Sequence, residues 1–352
     1  MKIVNSNDLK GGEYLSKAVY TADGQMLFYE GTCVHPAQIE RLKDHAIEAV
    51  KIFDSELSTG KSKEIIREEI QADCQETIKG ILDNYVCRDD GSLEEIAQTA
   101  QTIITEVFQR DEVAERVYDI KERSADLYDH AITVSALSVI TGVKMNMEQT
   151  SLYSIGVGAL LHDLGLKYIS LDYRNVDTNT FNPEMLFEFK KHTVYGFSSV
   201  EREKWMSSSA KKIILFHHEK LNGTGYPLKQ TTIPPEVKIV SVCDAFDDMI
   251  CGIGFRQVHV SDAIDFIKTH KDTYFDGRVV DIFLQFVAVY PVGTVVQTSL
   301  GEKAVVVRQN EHYTDCPVIR LLKDPSGKDY EQEKEIDLAA NRKIRIEKVI
   351  ES

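Results

Sequence analysis

Histidine residues in the middle of the chain have the chemistry of metal ligands. Five of the ten histidines fall in one stretch, each near a carboxylate or at the edge of an apolar run: His130, His162, His192, His217 and His218. Imidazole and carboxylate groups together suit iron, manganese or zinc better than magnesium, which prefers oxygen ligands and keeps its water. We therefore expect this stretch to bind a divalent metal. The other five are expected to be ordinary core or surface residues: His35, His45, His259, His270 and His312.

The pair His162 and Asp163 follows the apolar run 155–161, which predicts a buried helix. An imidazole and a carboxylate that emerge from such a helix lose their water at a cost, and a bound cation removes that cost. Adjacent residues of a helix point about 100° apart. His162 can therefore bind one metal while Asp163 bridges to a second one.

Two further segments carry candidate ligands. His217 and His218 precede the segment 222–227, whose glycines and proline predict a tight loop after a helix. The apolar run 237–242 predicts another buried helix, and it leads into Asp244. Among the acidic residues after this run, Asp244 is the best ligand candidate because it follows Val240 and Ser241 by one helical turn.

The elements around these residues predict a mainly α protein with four parts. Residues 1–60 contain short apolar stretches between glycine-rich turns, which favours a small N-terminal α/β unit. Helical spacing predicts a connector over 61–122 and an all-helical bundle over 123–290. Residues 291–352 contain valine-rich runs between turn residues, which indicates a small β-rich tail.

Composition excludes several classes of protein. With 43% hydrophobic and 28% charged residues, the chain of 352 residues is expected to fold into two or three units rather than stay disordered. The net charge of -15 opposes binding of a nucleic acid polymer. We expect no membrane span, no secretory signal and reduced cysteines, which together favour a cytoplasmic location.

An ordered set of motifs from about residue 100 to 290 resembles the HD-GYP phosphodiesterases, a branch of the HD hydrolases. The set consists of His130, Leu161-His162-Asp163-Leu164-Gly165, His192 with Gly196, His217-His218-Glu219, Gly225-Tyr226-Pro227 and Asp244-Ala245-Phe246-Asp247. The resemblance implies an HD-type bundle that hydrolyses a cyclic dinucleotide, cyclic di-GMP foremost. It also implies a centre of two or three iron or manganese ions, with a bridging hydroxide as nucleophile.

The resemblance assigns roles to individual residues. It implies one metal on His130, His162, Asp163 and Asp244, and a second on Asp163, His192, His217 and His218, with His162 and Asp163 as the catalytic pair. Asp126 lies four residues before His130, and we expect it on the same helix face, where it would support a third metal. Substrate contacts are expected from Tyr226, Arg256 and Lys167. A homodimer or a signalling partner is left open.

Some positions depart from the family pattern. Leu166 stands where a lysine is usual, Ile253 stands where an arginine is common, and Thr193 and Asn222 replace a proline and an aspartate. Without these two basic side chains we expect weaker binding of the substrate phosphate. Leu166→Lys or Ile253→Arg is therefore expected to raise turnover. The alternatives are a degenerate module that binds metal and nucleotide and signals through partners, and an HD hydrolase of a mononucleotide or alarmone.

Overall fold

The computed structural model of the protein divides into two compact units, residues 1–63 with 117–123 and 287–352, and residues 64–116 with 124–286. The structure describes residues 2–9, 13–15, 17, 19–21, 26–28, 33–34, 36–52, 66, 68–88, 93–109, 117–310, 313–330 and 332–350. His35 and His312 lie outside the described residues. The predicted four-part division remains a prediction.

The N-terminal part of the first unit consists of short strands and one helix: β1 (Lys2–Asn5), β2 (Glu13–Tyr14), β3 (Val19–Tyr20), β4 (Met26–Phe28), β5 (Cys33–Val34), α1 (Pro36–Asp44) and β6 (Ala49–Ile52). The strands pair antiparallel as β1 with β6, β2 with β5 and β3 with β4. A small apolar core that includes Leu15, Val34 and Leu42 holds this part together.

The C-terminal part of the first unit is one antiparallel sheet. Its strands are β7 (Val295–Thr298), β8 (Lys303–Asn310), β9 (Tyr313–Lys323), β10 (Glu335–Asp337) and β11 (Ile346–Val349). They lie in the order β10-β9-β8-β7-β11. The valine-rich runs predicted as strands supply the core of the sheet, with Val296, Val306 and Ile319 almost fully buried.

The second unit is helical. Its helices are α2 (Glu68–Arg88), α3 (Ile96–Gln109), α4 (Leu127–Lys144), α5 (Gln149–Leu161), α6 (Pro183–Lys190), α7 (His192–Val200), α8 (Ser208–Phe216), α9 (Pro235–Cys251), α10 (Val260–Thr269) and α11 (Gly277–Phe283). Helix α4 is buried along most of its length and packs against α3, α5 and α9. An apolar helix of this kind forms the centre of a bundle.

Close packing between α5 and α8 depends on Gly158. A Cβ atom at this position would lie 2.8 Å from Cδ1 of Ile213 and 3.1 Å from the carbonyl oxygen of Ala210. Because both helices end shortly after this contact, their C-terminal ends meet. The ring centroids of His162 and His217 consequently lie 5.0 Å apart.

The fold class predicted from the sequence is confirmed, with small strands at the N-terminal end, a helical bundle and a C-terminal sheet. Among the described residues, no helix has both the length and the apolar character needed to span a membrane.

Candidate metal centre

The ends of four helices and the middle of a fifth bring the candidate ligands together. The positions are His130 in the first turn of α4, His162 at the C-cap of α5 with Asp163 after it, His192 at the start of α7, His217 at the C-cap of α8 with His218 after it, and Asp244 within α9. All except His218, which is partly exposed, are buried. Helix ends can deliver polar groups to a buried site because the helices themselves stay apolar.

Asp163 lies between two pairs of histidines. Its Oδ2 atom is 3.7 Å from Nε2 of His130 and 3.5 Å from Nε2 of His162. Its Oδ1 atom is 3.5 Å from Nε2 of His192 and 3.7 Å from Nε2 of His217. Each carboxylate oxygen therefore faces a different pair of rings, which is the arrangement that a carboxylate bridging two cations requires.

Backbone hydrogen bonds fix the orientation of three of these rings. The Nδ1 atoms of His162, His192 and His217 contact the carbonyl oxygens of Ala159, Phe189 and Ile214 at 2.7, 2.8 and 3.1 Å. A carbonyl oxygen only accepts, so each Nδ1 atom carries the proton and donates. In a neutral ring the Nε2 atom then keeps its lone pair, which points into the cluster and is free to bind a metal.

His130 is oriented by a carboxylate. Its Nδ1 atom lies 2.7 Å from Oδ2 of Asp247, and both side chains are fully buried. Its Nε2 atom lies 3.1 Å from Nε2 of His162, which itself lies 3.0 Å from Oδ1 of Asp244. In both contacts two lone pairs face each other when the rings are neutral. Only a proton or a metal cation between the two atoms can stabilise such a contact.

Asp244 gives an independent indication that the cluster fits a cation. Both of its carboxylate oxygens are buried and have no hydrogen-bond partner among the described residues. The short contact from Oδ1 to His162 is an ion pair only when the ring carries a second proton. A buried carboxylate needs a proton or a cation beside it to offset the loss of its water, so the donor atoms present fit a bound metal.

Burial and neighbouring charges shift the pKa of several of these groups. Burial lowers the pKa of His162, but the charges of Asp163 and Asp244 outweigh it and raise that pKa above the usual value. Burial on its own raises the pKa of Asp244, but His162 and His130 hold it well below its usual range. Burial lowers the pKa of His217 to about 4, so this ring stays neutral. A metal ion bound to His162 would displace the proton that the raised pKa of this ring favours.

Several groups of side chains bring three or four donor atoms within 4.8 Å of one another. The groups that match the sequence-based assignment are Asp163 with His192, His217 and His218, and His130 with His162 and Asp244. Nitrogen and oxygen donors in this number suit a transition metal such as iron, manganese or zinc. The structure thus brings together seven of the eight residues predicted as ligands.

Asp248 and Asp247 were not among the predicted site residues. Asp248 joins two of the groups, one with His130 and Asp163 and one with His218 and Asp244. Burial, and then the charge of Asp244, raise the pKa of Asp248 well above its usual value. The sequence did contain a signal, because Asp248 follows Asp244 by four residues and therefore shares its helix face.

Asp126 is not brought into the cluster. The expectation that it shares a helix face with His130 is wrong, because Asp126 has extended backbone and caps α4. Its Oδ1 atom accepts hydrogen bonds from the backbone nitrogens of Tyr128 and Asp129 and from the side chain of Gln75. Aspartate is a preferred N-cap residue for this reason. Whether it also supports a third metal stays a prediction.

The three predicted substrate contacts lie in different surroundings. The Tyr226 ring packs on His218, with centroids 4.7 Å apart. The Lys167 ammonium donates to Oδ1 of Asp83 at 2.7 Å and to the Tyr128 hydroxyl at 2.6 Å. Arg256 is exposed between α9 and α10, with no ion pair to the described residues.

A cavity of about 440 Å³ lies on the Lys167 side, lined in part by Asp126, Tyr128, Tyr173 and Arg174. Burial, and then the charge of Asp163, raise the pKa of Tyr173 to about 12. The Tyr173 ring lies 5.9 Å from the Phe189 ring, which lies 5.3 Å from the His192 ring, both between centroids. The cavity therefore offers space beside the candidate ligands.

Two lysines of the helical unit, Lys190 and Lys220, pack on tyrosine rings. The Lys190 ammonium lies 5.2 Å from the centroid of the Tyr226 ring. Burial, and then the charge of Lys229, lower the pKa of Lys190. Burial, and then the charge of Lys190, lower the pKa of Lys220. The Lys220 ammonium itself lies 3.9 Å from the centroid of the Tyr274 ring.

The two positions that lack a basic residue are packed together. Leu166 and Ile253 are each 2% exposed and belong to one apolar cluster with Ile169, Tyr173, Phe189 and Cys251. An arginine at 253 would leave its charge among apolar side chains.

We therefore expect Ile253→Arg to lower the free energy of unfolding by roughly 3 to 5 kcal/mol, the cost of an uncompensated buried charge. The sequence led us to expect that Ile253→Arg would raise turnover; because residue 253 is buried, we now expect this change to lower turnover. Chemical denaturation measures the effect, with Ile253→Val as the matched control at roughly 0.5 to 1.5 kcal/mol. An Ile253→Arg protein as stable as the control would show that this cluster opens to solvent.

Fold and site together define a helical domain that gathers histidine and aspartate side chains able to hold metal ions. The HD domain family model matches residues 98–279, more than half of the chain, and a KOW domain associated with HD domains matches residues 295–352. The chain therefore belongs to the HD domain family, as its motifs implied.

Curated relatives include a cyclic di-GMP phosphodiesterase of Pseudomonas aeruginosa, 25% identical over 198 residues, which are 55% of this chain and 47% of the relative. Another is a cyclic di-GMP phosphodiesterase of Thermotoga maritima, 29% identical over 167 residues, 46% of this chain and 45% of the relative. The chain thus spans about half the length of these relatives.

Among solved structures, an HDG"Y"P protein from Bdellovibrio bacteriovorus shares the fold. The TM-score is 0.51 at 19% identity, over 80% of this chain and 97% of the other. This likeness supports the HD-type helical architecture.

Proposed function

We propose that the chain is a metal-dependent phosphodiesterase that hydrolyses a cyclic dinucleotide, cyclic di-GMP foremost. The observation that carries the proposal is the position of Asp163, whose two carboxylate oxygens each face a different pair of buried histidines. The names of the relatives support the substrate class, because cyclic di-GMP phosphodiesterases recur among them.

One metal would be held by His130, His162, Asp163 and Asp244, and a second by Asp163, His192, His217 and His218. Asp126 would support a third. We propose iron or manganese, because the donors mix imidazole nitrogen with carboxylate oxygen. Bound divalent ions would supply an acidified water and neutralise the charge that develops on the phosphoryl oxygens.

The residues of this chain prepare the site for that chemistry. Carbonyl oxygens hold the Nδ1 protons of three histidines, so the ligand geometry exists before substrate arrives. Asp247 does the same for His130. Tyr226, packed on His218, presents a ring beside the centre on which a nucleobase can stack.

A second candidate function is a binding module with little turnover. It is favoured by Leu166 and Ile253, which are buried in an apolar cluster and cannot hold phosphate. This module would bind metal and cyclic di-GMP without producing a linear product.

Product analysis separates the two. The chain is purified anaerobically, loaded with manganese or iron, and incubated with cyclic di-GMP, cyclic GMP-AMP and cyclic di-AMP. We expect a linear dinucleotide from cyclic di-GMP. A fully metallated protein that binds cyclic di-GMP and leaves it intact would support the binding module, and one that neither binds nor cleaves any of the three would contradict both proposals.

A further inference from the structure

Asp248 lies on the same face of α9 as Asp244. The two aspartates are four residues apart, which is about one helical turn. The carbonyl oxygen of Asp248 accepts hydrogen bonds from the backbone nitrogens of Gly252 and Ile253, at 2.8 and 3.0 Å, where the helix ends. The backbone of Asp248 is therefore held in place, and its side chain points to one fixed side of α9.

The Asp248 carboxylate is buried and faces His130. Its side chain is 7% exposed, and its Oδ1 atom is 3.6 Å from Nε2 of His130. The same Oδ1 atom has no hydrogen-bond partner among the described residues. The other ring nitrogen of His130, Nδ1, already contacts Asp247. Because a buried carboxylate needs a cation or a proton beside it, an ion bound to Nε2 of His130 would also stabilise Asp248.

Four donor atoms surround Nε2 of His130 at distances that suit ligands of one ion. They are Nε2 of His162 at 3.1 Å, Oδ1 of Asp244 at 3.3 Å, Oδ1 of Asp248 at 3.6 Å and Oδ2 of Asp163 at 3.7 Å. Two donor atoms that each lie about 2.1 Å from one metal ion are about 3 to 4.2 Å apart, at angles between about 90° and 180°. The contact of Asp248 falls within this range and is shorter than that of Asp163.

We propose that Asp248 is a fifth protein ligand of the first metal, the one assigned to His130, His162, Asp163 and Asp244. The inference rests on the metal centre of the proposed function. Five protein ligands exceed the four of a typical zinc site, and three carboxylates among them favour an ion that takes six ligands, such as manganese. Asp248 therefore helps to select the metal at one of the two positions.

Metal titration of Asp248→Asn tests the proposal, with Asp265→Asn as the matched control. Both changes turn a carboxylate into an amide of the same shape, but the Asp265 side chain is exposed on α10. Manganese is added to the metal-free proteins, and bound metal is counted by equilibrium dialysis and elemental analysis.

We expect Asp248→Asn to bind one of the two ions at least about 100-fold more weakly than the wild type. The reason is that even residues that only orient a ligand are worth about 10- to 100-fold in affinity. The other ion should keep its affinity, and Asp265→Asn should bind both ions as the wild type does.

A competition between manganese and zinc tests the selection of the metal. Zinc needs only four ligands, so the loss of Asp248 should weaken its binding less than that of manganese. We expect the ratio of zinc affinity to manganese affinity at the weakened position to rise about ten-fold or more in Asp248→Asn. An unchanged ratio would contradict a role of Asp248 in selecting the metal.

Stability distinguishes a metal ligand from a residue that supports the fold. Without metal, Asp248→Asn should unfold at the same denaturant concentration as the wild type or at a higher one, since the amide places no charge in the buried site. With manganese, the wild type should gain more stability than the variant. A metal-free variant that is less stable than the metal-free wild type would show that Asp248 supports the fold, which overturns the inference.

These measurements do not depend on catalysis. If the wild type binds two ions and cleaves no cyclic dinucleotide, the proposed function fails, whereas selective loss of one ion from Asp248→Asn still supports Asp248 as a ligand. Equal binding of both ions by the variant and the wild type, loss of both ions together, or a wild type that binds no metal overturns the inference.

Discussion

Replacing Asp163 by alanine is expected to remove both metals together and to lower hydrolysis by at least about 1000-fold. The reason is geometric, because each of its oxygens faces a different pair of histidines and both metal positions lose a ligand at once. Elemental analysis of anaerobically purified protein measures the metal content, and product analysis measures the rate.

Asp265→Ala is the matched control, because Asp265 is an exposed aspartate on α10 of the same unit. It should keep the full metal content and the full rate. A full metal complement in the Asp163→Ala protein would show that Asp163 does not bridge.

Gly165→Ala is expected to have the second largest effect. A Cβ atom at this position would lie 1.8 Å from the carbonyl oxygen of His192 and 2.7 Å from the backbone nitrogen of Gly196. These are backbone atoms at the start of α7, so the helix must move and carry His192 away from Asp163. We expect the free energy of unfolding to fall by about 3 kcal/mol, the upper end for an overpacked site, and the affinity for metal to fall with it.

Gly80→Ala provides the comparison, since Gly80 lies within α2 and an added Cβ atom would meet nothing within 4 Å. This change should raise the stability by about 0.5 to 1 kcal/mol, because alanine favours the helix more than glycine does. Thermal and chemical denaturation, with a metal titration of each protein, give the result. If Gly165→Ala behaves like Gly80→Ala, the contact between residue 165 and α7 does not position His192.

The elements could be predicted from the sequence where local pattern decides them. The uniformly apolar runs before His162 and Asp244 identified buried helices, and the valine-rich runs after residue 291 identified the C-terminal strands. In these segments the apolar character of the sequence and the burial in the structure agree, so tertiary contacts do not change the outcome. His162 and Asp163 lie just after the last residue of α5, where the pattern ends.

Long-range packing set the features that the sequence could not show. Leu166 and Ile253 are far apart in the chain, and no local pattern indicates that they belong to one apolar cluster. The pairing of Lys167 with Asp83 likewise joins α2 to the segment after Asp163. Asp126 was misplaced because a carboxylate that caps a helix and one within its first turn look alike in sequence.

Anomalous diffraction from crystals loaded with manganese tests the central claim most directly. We expect two peaks about 3.5 to 4 Å apart, one within bonding distance of His130 and His162, the other within bonding distance of His192 and His217, with Asp163 bound to both. A single peak, or two peaks with Asp163 bound to neither, would contradict the proposal that this chain holds a carboxylate-bridged metal pair.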